Sequence, residues 1–287
     1  MADESPSLDL ESLAAKAVSK PLVSHIYTAD PSAHVFDGRL YIYPSHDIEA
    51  GIPFNDLGDH FGMQDYHVLR MDSPDSEAVD CGVALHVDDV PWAQRQMWAP
   101  DVAFRNGHYY LYFPAKRPDG IFQIGVAISD NPAGPFVPEP QPIEGSYSID
   151  PAAFVDDDGA CYLYFGGIWG GQLQSYRDNA YDASNVEPED GQRALGPRVA
   201  RLDSSMKQFD EAPREIIIVD DDGLPLLAED HERRYFEGPW VHKYQGRYYL
   251  SYSTGNTHLL CYAIADNPYG PFTYQGVLLS PVVGWTT

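Results

Sequence analysis

Basic side chains are scarce in this sequence: 18 Lys and Arg stand against 43 Asp and Glu, for a formal net charge of -25. A chain this acidic lacks the positive face that a phosphate backbone or an anionic bilayer requires, so nucleic acid and membrane are excluded as partners. Cysteine is scarce as well. Cys81, Cys161 and Cys261 are odd in number, widely spaced and without a CxxC pair. That argues against a disulfide framework or a thiolate metal site and predicts three buried thiols. The sequence also lacks an apolar run long enough for a signal peptide or a membrane span, so as written it predicts a cytoplasmic protein. P-loop, dinucleotide and HExxH motifs are missing, and so is a Ser-His-Asp grouping. The glycine-rich GGIWGG at 166–171 has no neighbouring helix or Lys to cradle a phosphate and reads as a tight turn.

What is abundant points to strands. Twenty tyrosines suit pleated surfaces, and 24 Gly with 24 Pro imply frequent turns. Apart from a short helix expected near 9–18, the chain reads as strands and turns, with a 1–20 N-terminal extension and a single 21–287 domain. A repeat organises that domain. FDGRLYIYPS at 36–45, RNGHYYLYFPA at 105–115, DDGACYLYFGG at 158–167 and YQGRYYLSYS at 244–253 each place a turn glycine before an aromatic-rich strand. GVAISDNPAGPF at 125–136 and CYAIADNPYGPF at 261–272 extend two copies into a third strand and a turn. Units of about four antiparallel strands repeated in this way are the signature of propeller blades. The segments at about 46–96 and 172–234 read as long loops on the rim. LLSPVVGWTT at 278–287 starts like the inner strand of a fifth unit that stays incomplete in this chain, a closed four-bladed ring being the alternative.

Counting back from the turn glycines gives the central pattern. Asp30 lies eight residues before Gly38, Asp150 nine before Gly159 and Glu237 nine before Gly246, while Trp98 holds that place before Gly107; a proline follows closely each time. Blade symmetry would gather these positions at one end of the channel. Three acids there repel one another and raise a pKa, and a carboxylate pair of unequal acidity is the apparatus of glycoside hydrolysis. The bland reading is three solvated turn openers, since Asp before Pro commonly starts a turn. The Asp-rich turns 156–158 and 220–222 lack EF-hand spacing and read as hairpins with solvated acids. His34, His46 and His67 are near enough in sequence to reach a rim pocket, although surface or hydrogen-bonded roles are commoner for such residues.

Ala29-Asp30-Pro31, MWAPDVAF at 97–104, SIDPAAFVDDDG at 148–159 and FEGPWVHKYQGRYYLSYS at 236–253, in that order, resemble glycoside hydrolase family 43, the β-xylosidases and α-L-arabinofuranosidases. The likeness covers about 21–287. It implies an all-β, five-bladed β-propeller in which Asp30 is general base, Glu237 general acid and Asp150 the residue that tunes and orients the acid. It further implies that Trp98 packs at the sugar subsite beside the cleaved bond and that the reaction inverts the anomer, with the two working carboxyls roughly 6.5–9.5 Å apart. No cofactor is required; a structural calcium in the central channel, near a fifth-blade His, belongs to the family pattern, and that blade's His and substrate-touching Arg are not reached by Thr287. The implied partners are xylo- and arabino-oligosaccharides; the long insertions, able to wall off one end of the channel, point to attack on short chains from their ends. Two rivals remain: a non-catalytic saccharide-binding propeller, and a retaining five-bladed fructosidase, whose Asn-Asp-Pro-Asn opening is replaced here by Ala29-Asp30-Pro31-Ser32.

Overall fold

The computed structural model describes residues 20–184 and 186–281, together with 15 and 17. The helix expected near 9–18 falls, except for residues 15 and 17, outside the described residues. The rest is an all-β propeller built from four antiparallel sheets in chain order. β1 (Tyr27–Phe36), β2 (Arg39–Asp47), β3 (Asp65–Met71) and β4 (Val79–His86) make the first blade. β5 (Asp101–Arg105), β6 (His108–Lys116), β7 (Phe122–Ser129) and β8 (Val137–Pro138) make the second. β9 (Ala152–Val155), β10 (Cys161–Phe165), β11 (Arg198–Arg201) and β12 (Arg214–Glu215) form the third. β13 (Ile218–Val219) joins the outer edge of the fourth, parallel to β17 (Phe272–Leu279), beyond β14 (Glu237–Tyr244), β15 (Arg247–Ser253) and β16 (Leu260–Ala265).

Local chemistry starts each blade. Asp37-Gly38, Asn106-Gly107 and Gln245-Gly246 all have positive φ, at 50° and 76°, 53° and 83°, and 49° and 77°. They close two-residue hairpins between Phe36 and Arg39, Arg105 and His108, and Tyr244 and Arg247. Two successive left-handed residues give the type I′ twist that matches antiparallel strands, and glycine takes the second place without strain. The aromatic second strands are the blades' buried backbones: β6 and β10 are almost wholly enclosed, with Leu111, Tyr112, Phe113, Leu163, Tyr164 and Phe165 all at 0% exposure. One apolar cluster joins the first two blades and a larger one the second to the fourth.

The inner strands touch in succession, β1 on β5, β5 on β9 and β9 on β14, whereas β14 and β1 share no comparable contact. A closed four-bladed ring is therefore not what these residues form. The rim segments are also more than loops, since 46–96 contains β3 and β4, and 172–234 contains β11, β12 and β13. The strands there are short or carry no glycine-aromatic signature, so the repeat did not reveal them. Leu278 and Leu279 finish β17, the outer strand of the fourth blade, instead of opening a fifth; residues 282–287 lie outside the described ones. Cys161 and Cys261 are buried, but Cys81 is exposed because it faces out from the edge strand β4.

Candidate active site

Two of the three acids sit at matching irregularities of the inner strands. The β1–β2 register breaks between Ala29 and Ser32, and the β14–β15 register breaks between Glu237 and Trp240. Each break brackets a proline, which has no N–H to give the ladder, and a bulge there bends the strand and re-aims the acid beside it. The third acid, Asp150, lies two residues before β9. Asp30 and Asp150 adopt left-handed backbone conformations, φ 46° and 56°, as does Gly238 at φ 63°. Non-glycine residues in that region are strained, and strain held by surrounding structure is typical of functional positions.

Packing brings the acids together. Ala29, next to Asp30, and Ile149, next to Asp150, belong to one apolar cluster with Trp98, Met63 and Phe122. The backbone N–H of Gly238 donates to Asp150 Oδ2 at 3.0 Å, tying the third blade's acid to the start of β14. Gly167 lies directly beneath Glu237: a Cβ there would meet Ile149 at 2.6 Å and Glu237 Cβ at 3.2 Å. That is why the 166–171 segment is glycine-rich, and its backbone is pinned further by Ile168 N–H donating to Phe236 O and by Ser148 accepting from Gly167 N–H.

The three carboxyls feel one another. Each keeps a route to solvent, Asp30 the widest, yet all are crowded by protein atoms, as at the floor of a concave site. Burial, and after it the charge of Asp47, pushes Asp30 up to about 6. Burial and then Asp30 raise Asp150, against the downward pull of the Gly238 N–H. Glu237 is raised well above the ordinary carboxyl range by burial, then Asp150, then Asp30, with no opposing hydrogen bond. Burial and neighbouring negative charge thus favour the protonated form of Glu237, with no hydrogen bond opposing them, while Asp30 is ionised at neutral pH.

Trp98 is fixed from several sides. Its indole N–H donates to Phe61 O at 2.8 Å, the Tyr66 hydroxyl donates to its carbonyl at 2.6 Å, and its ring leans on Phe122 with centroids 4.8 Å apart. Gly58 lets the 50–63 loop lie against the indole, since a Cβ there would come within 2.4 Å of the ring. Lys116, 3% exposed, sits over both rings and reaches Asp59 at 3.4 Å. Lys116, Tyr66, Phe61 and Asp47 were not legible as site residues, because lone side chains on separate strands and loops carry no motif. Tyr235 was missed for the same reason; it is 1% exposed, and its hydroxyl is held by Gly166 O while it senses the charges of Asp150 and Glu237.

Other expectations fare differently. None of the three histidines is free to serve the acids: His34 pairs with Asp101, His46 with Asp65 and His67 with Asp80. The first Asp-rich turn is not solvated throughout, for Asp156 is 7% exposed and holds Lys243 at 2.6 Å, joining the third blade to the fourth. Asp220 caps its own turn, accepting from the N–H groups of Asp222 and Leu224. A cleft of about 460 Å³ between Glu144, Asn179 and Phe209 contains none of the carboxylate trio.

Comparison with known proteins gives the same direction. The pattern of glycosyl hydrolases family 43 matches residues 20–279. Xylosidase/arabinosidase 43A of Humicola insolens is 61% identical over 276 residues, which cover 93% of this chain and 84% of that protein. The crystal structure of the GH43_1 enzyme from Xanthomonas citri complexed with xylotriose superposes with a TM-score of 0.91 at 68% identity, covering 96% of this chain and 82% of that one. CoXyl43, a GH43 beta-xylosidase/alpha-arabinofuranosidase from a compost microbial metagenome, in complex with xylotriose and calcium-free, also gives 0.91, at 63% identity over 93% of this chain and 82% of that one. A pattern match that runs almost end to end, on a propeller whose blades bring three carboxyls together, settles the kinship: the chain belongs to glycosyl hydrolases family 43 and is a glycoside hydrolase.

Proposed function

We propose that the enzyme releases terminal xylose or arabinose from xylo- and arabino-oligosaccharides with inversion, Asp30 acting as general base and Glu237 as general acid. The observation that carries this reading is the convergence of the two carboxyls in unlike surroundings: Asp30, open to solvent and pushed up only to about 6, is ionised at neutral pH, whereas burial and the charges of Asp150 and Asp30 push Glu237 well above the ordinary carboxyl range. Asp30 takes a proton from water as its oxygen attacks the anomeric carbon. The glycosidic C–O bond breaks on the opposite side, and Glu237 delivers its proton to the leaving oxygen through an oxocarbenium-like transition state. Asp150, itself pushed up to about 8 by burial and then Asp30, tunes the acid and accepts from the Gly238 N–H beside it. Trp98, clamped by Phe61 and Tyr66, offers an apolar wall for the sugar ring. Pentose specificity is supported by the names of the relatives and by xylotriose in the two similar crystal structures.

A five-bladed propeller is part of the same reading. Flanking the interval between β14 and β1, large apolar side chains face outward: Tyr27 (83% exposed) and Val35 (69%) on β1, and Tyr244 (59%) with Trp240 (39%) on β14. On the inner strands β5 and β9 only Phe104 (46%) and Val155 (42%) are comparably exposed, and a further blade would cover the four residues here. Among the described residues no three His, Cys, Asp or Glu ligand atoms gather around the trio, so a calcium in the channel would draw mainly on backbone carbonyls and water.

Two measurements test the proposal. Proton NMR of the first sugar formed from an aryl β-xyloside or aryl α-L-arabinofuranoside should show the inverted anomer. Retention, or sugar binding without any hydrolysis, would reject it, the latter in favour of a saccharide-binding propeller. The pH profile of Asp150→Asn gives the second. Hydrolysis needs Asp30 ionised and Glu237 protonated, so rate rises with pH through about 6 and falls as Glu237 ionises. Removing the Asp150 charge lets Glu237 ionise more readily, so the alkaline limb should move to lower pH, by about a unit for each ~1.4 kcal/mol of lost repulsion. An unmoved alkaline limb would place the acid elsewhere.

A further inference from the structure

On the face of the first blade turned away from the second, a different cluster is assembled. Strand alternation puts Asp65 and His67, two apart on β3, on the same face as Leu69 and Met71. His46 on β2 lies one position beyond the Ser45–Tyr66 pair and so comes opposite Asp65. Its Nδ1 is 2.8 Å from Asp65 Oδ1, and His67 Nε2 is 3.8 Å from the same oxygen. One ligand atom from each of His46, Asp65 and His67 falls within 4.8 Å of the others.

A second shell is also in place. Asp80 on β4 meets the other ring nitrogen of His67, Oδ1 to Nδ1 at 2.9 Å, leaving Nε2 to point at Asp65 and His46. Asp80 is in turn anchored by the Gly82 N–H at 2.8 Å and by His25 at 2.7 Å. A carboxylate that fixes the far nitrogen of an imidazole is the outer-shell arrangement that orients metal-binding histidines. Donors bound ~2.0–2.2 Å from a tetrahedral zinc lie about 3.3–3.6 Å apart, a spacing that the 2.8 and 3.8 Å separations bracket.

We propose that His46, Asp65 and His67 bind a first-row transition metal, zinc by preference, with the remaining coordination directed into the interval between β1 and β14 that a further blade would fill. Two imidazoles and one carboxylate select zinc-like ions, whereas calcium takes six to eight oxygen donors. The site takes three neighbouring strands and the segment before β1 into one coordination unit, so the metal cross-links the first blade. It does not depend on the catalytic roles assigned above, because none of its ligands belongs to the carboxylate trio.

The test uses the full, untagged chain stripped with chelator and titrated with Zn²⁺ alone by calorimetry, with excess Ca²⁺ present throughout. One tightly bound Zn²⁺ per chain is expected, with a higher melting temperature in its presence and a Co²⁺ derivative that absorbs in the visible. The His46→Gln/His67→Gln double variant should lose the site, and Asp80→Asn should weaken it on the order of 10–100-fold. Retained aryl xyloside hydrolysis shows that a variant is folded; should the double variant fail that check, His67→Gln alone makes the comparison. No uptake of Zn²⁺ by the wild-type chain, undiminished uptake by the folded variants, or displacement by Ca²⁺ would each overturn the proposal.

Discussion

Glu237→Gln should lower hydrolysis of xylobiose on the order of 10²–10⁴-fold and slow an aryl xyloside with an acidic phenol far less. The difference follows from the step that Glu237 serves. A sugar alkoxide is too basic to leave without a proton, whereas a stabilised phenolate needs little help. Gln keeps the size of Glu and leaves the bulge at Gly238-Pro239 and the Gly238 N–H bond to Asp150 undisturbed. The alkaline limb of the pH profile should vanish along with the rate, because the group that titrates there is gone. Steady-state kinetics on the two substrates check this; equal losses on both would mean that Glu237 positions substrate and does not donate the proton.

Asp30→Asn should cost a comparable ~10²–10⁴-fold, but equally for both leaving groups, because the base acts on water and not on the departing oxygen. Asn is the informative replacement. Asp30 has φ 46°, a region that Asn tolerates and most side chains do not, so the variant removes the charge without a backbone penalty. The acidic limb, set by the group pushed up to about 6, should disappear. Asp30→Gly opens space at the same backbone angle. Azide, which needs no deprotonation, should restore part of its activity on the aryl substrate, forming the C–N bond on the face opposite the departing phenolate and giving an inverted glycosyl azide. An azide product of retained configuration, or an Asn variant with near-normal rate, would remove Asp30 from the role of base.

These two experiments and the Asp150→Asn profile separate functions that the trio's symmetry makes look alike. All three acids lie at or near the start of an inner strand, and all are raised by burial. What distinguishes them is local: Asp47 beside Asp30, the Gly238 N–H on Asp150, and nothing drawing Glu237 back down.

The blades were legible because their cause is short-range. A left-handed residue and a glycine, Asp37-Gly38 or Asn106-Gly107, force a tight hairpin, and the aromatic strand after it must be buried. The convergence of the candidate residues Asp30, Asp150, Glu237 and Trp98 was legible for a related reason, since blade symmetry converts a spacing of eight or nine residues from those turns into a shared location. Strands β3, β4, β11, β12 and β13 escaped notice because nothing local marks them; each forms only by completing a sheet that others began. Asp156 illustrates the same limit, as an acid in an Asp-Asp-Asp-Gly turn that reads as solvated until Lys243, 87 residues away, closes on it at 2.6 Å.

The sequence by itself determined the all-β repeat, the family and the three carboxylates, because turn chemistry and strand alternation act over a few residues and are written where they act. Tertiary structure alone decided how burial and neighbouring charge act on each acid, how Trp98 is braced by Phe61, Tyr66 and Lys116, and which histidines meet which carboxylates. Those outcomes depend on burial and on charges brought close by folding, and Coulomb and desolvation energies are set by separation in space, which separation along the chain does not encode.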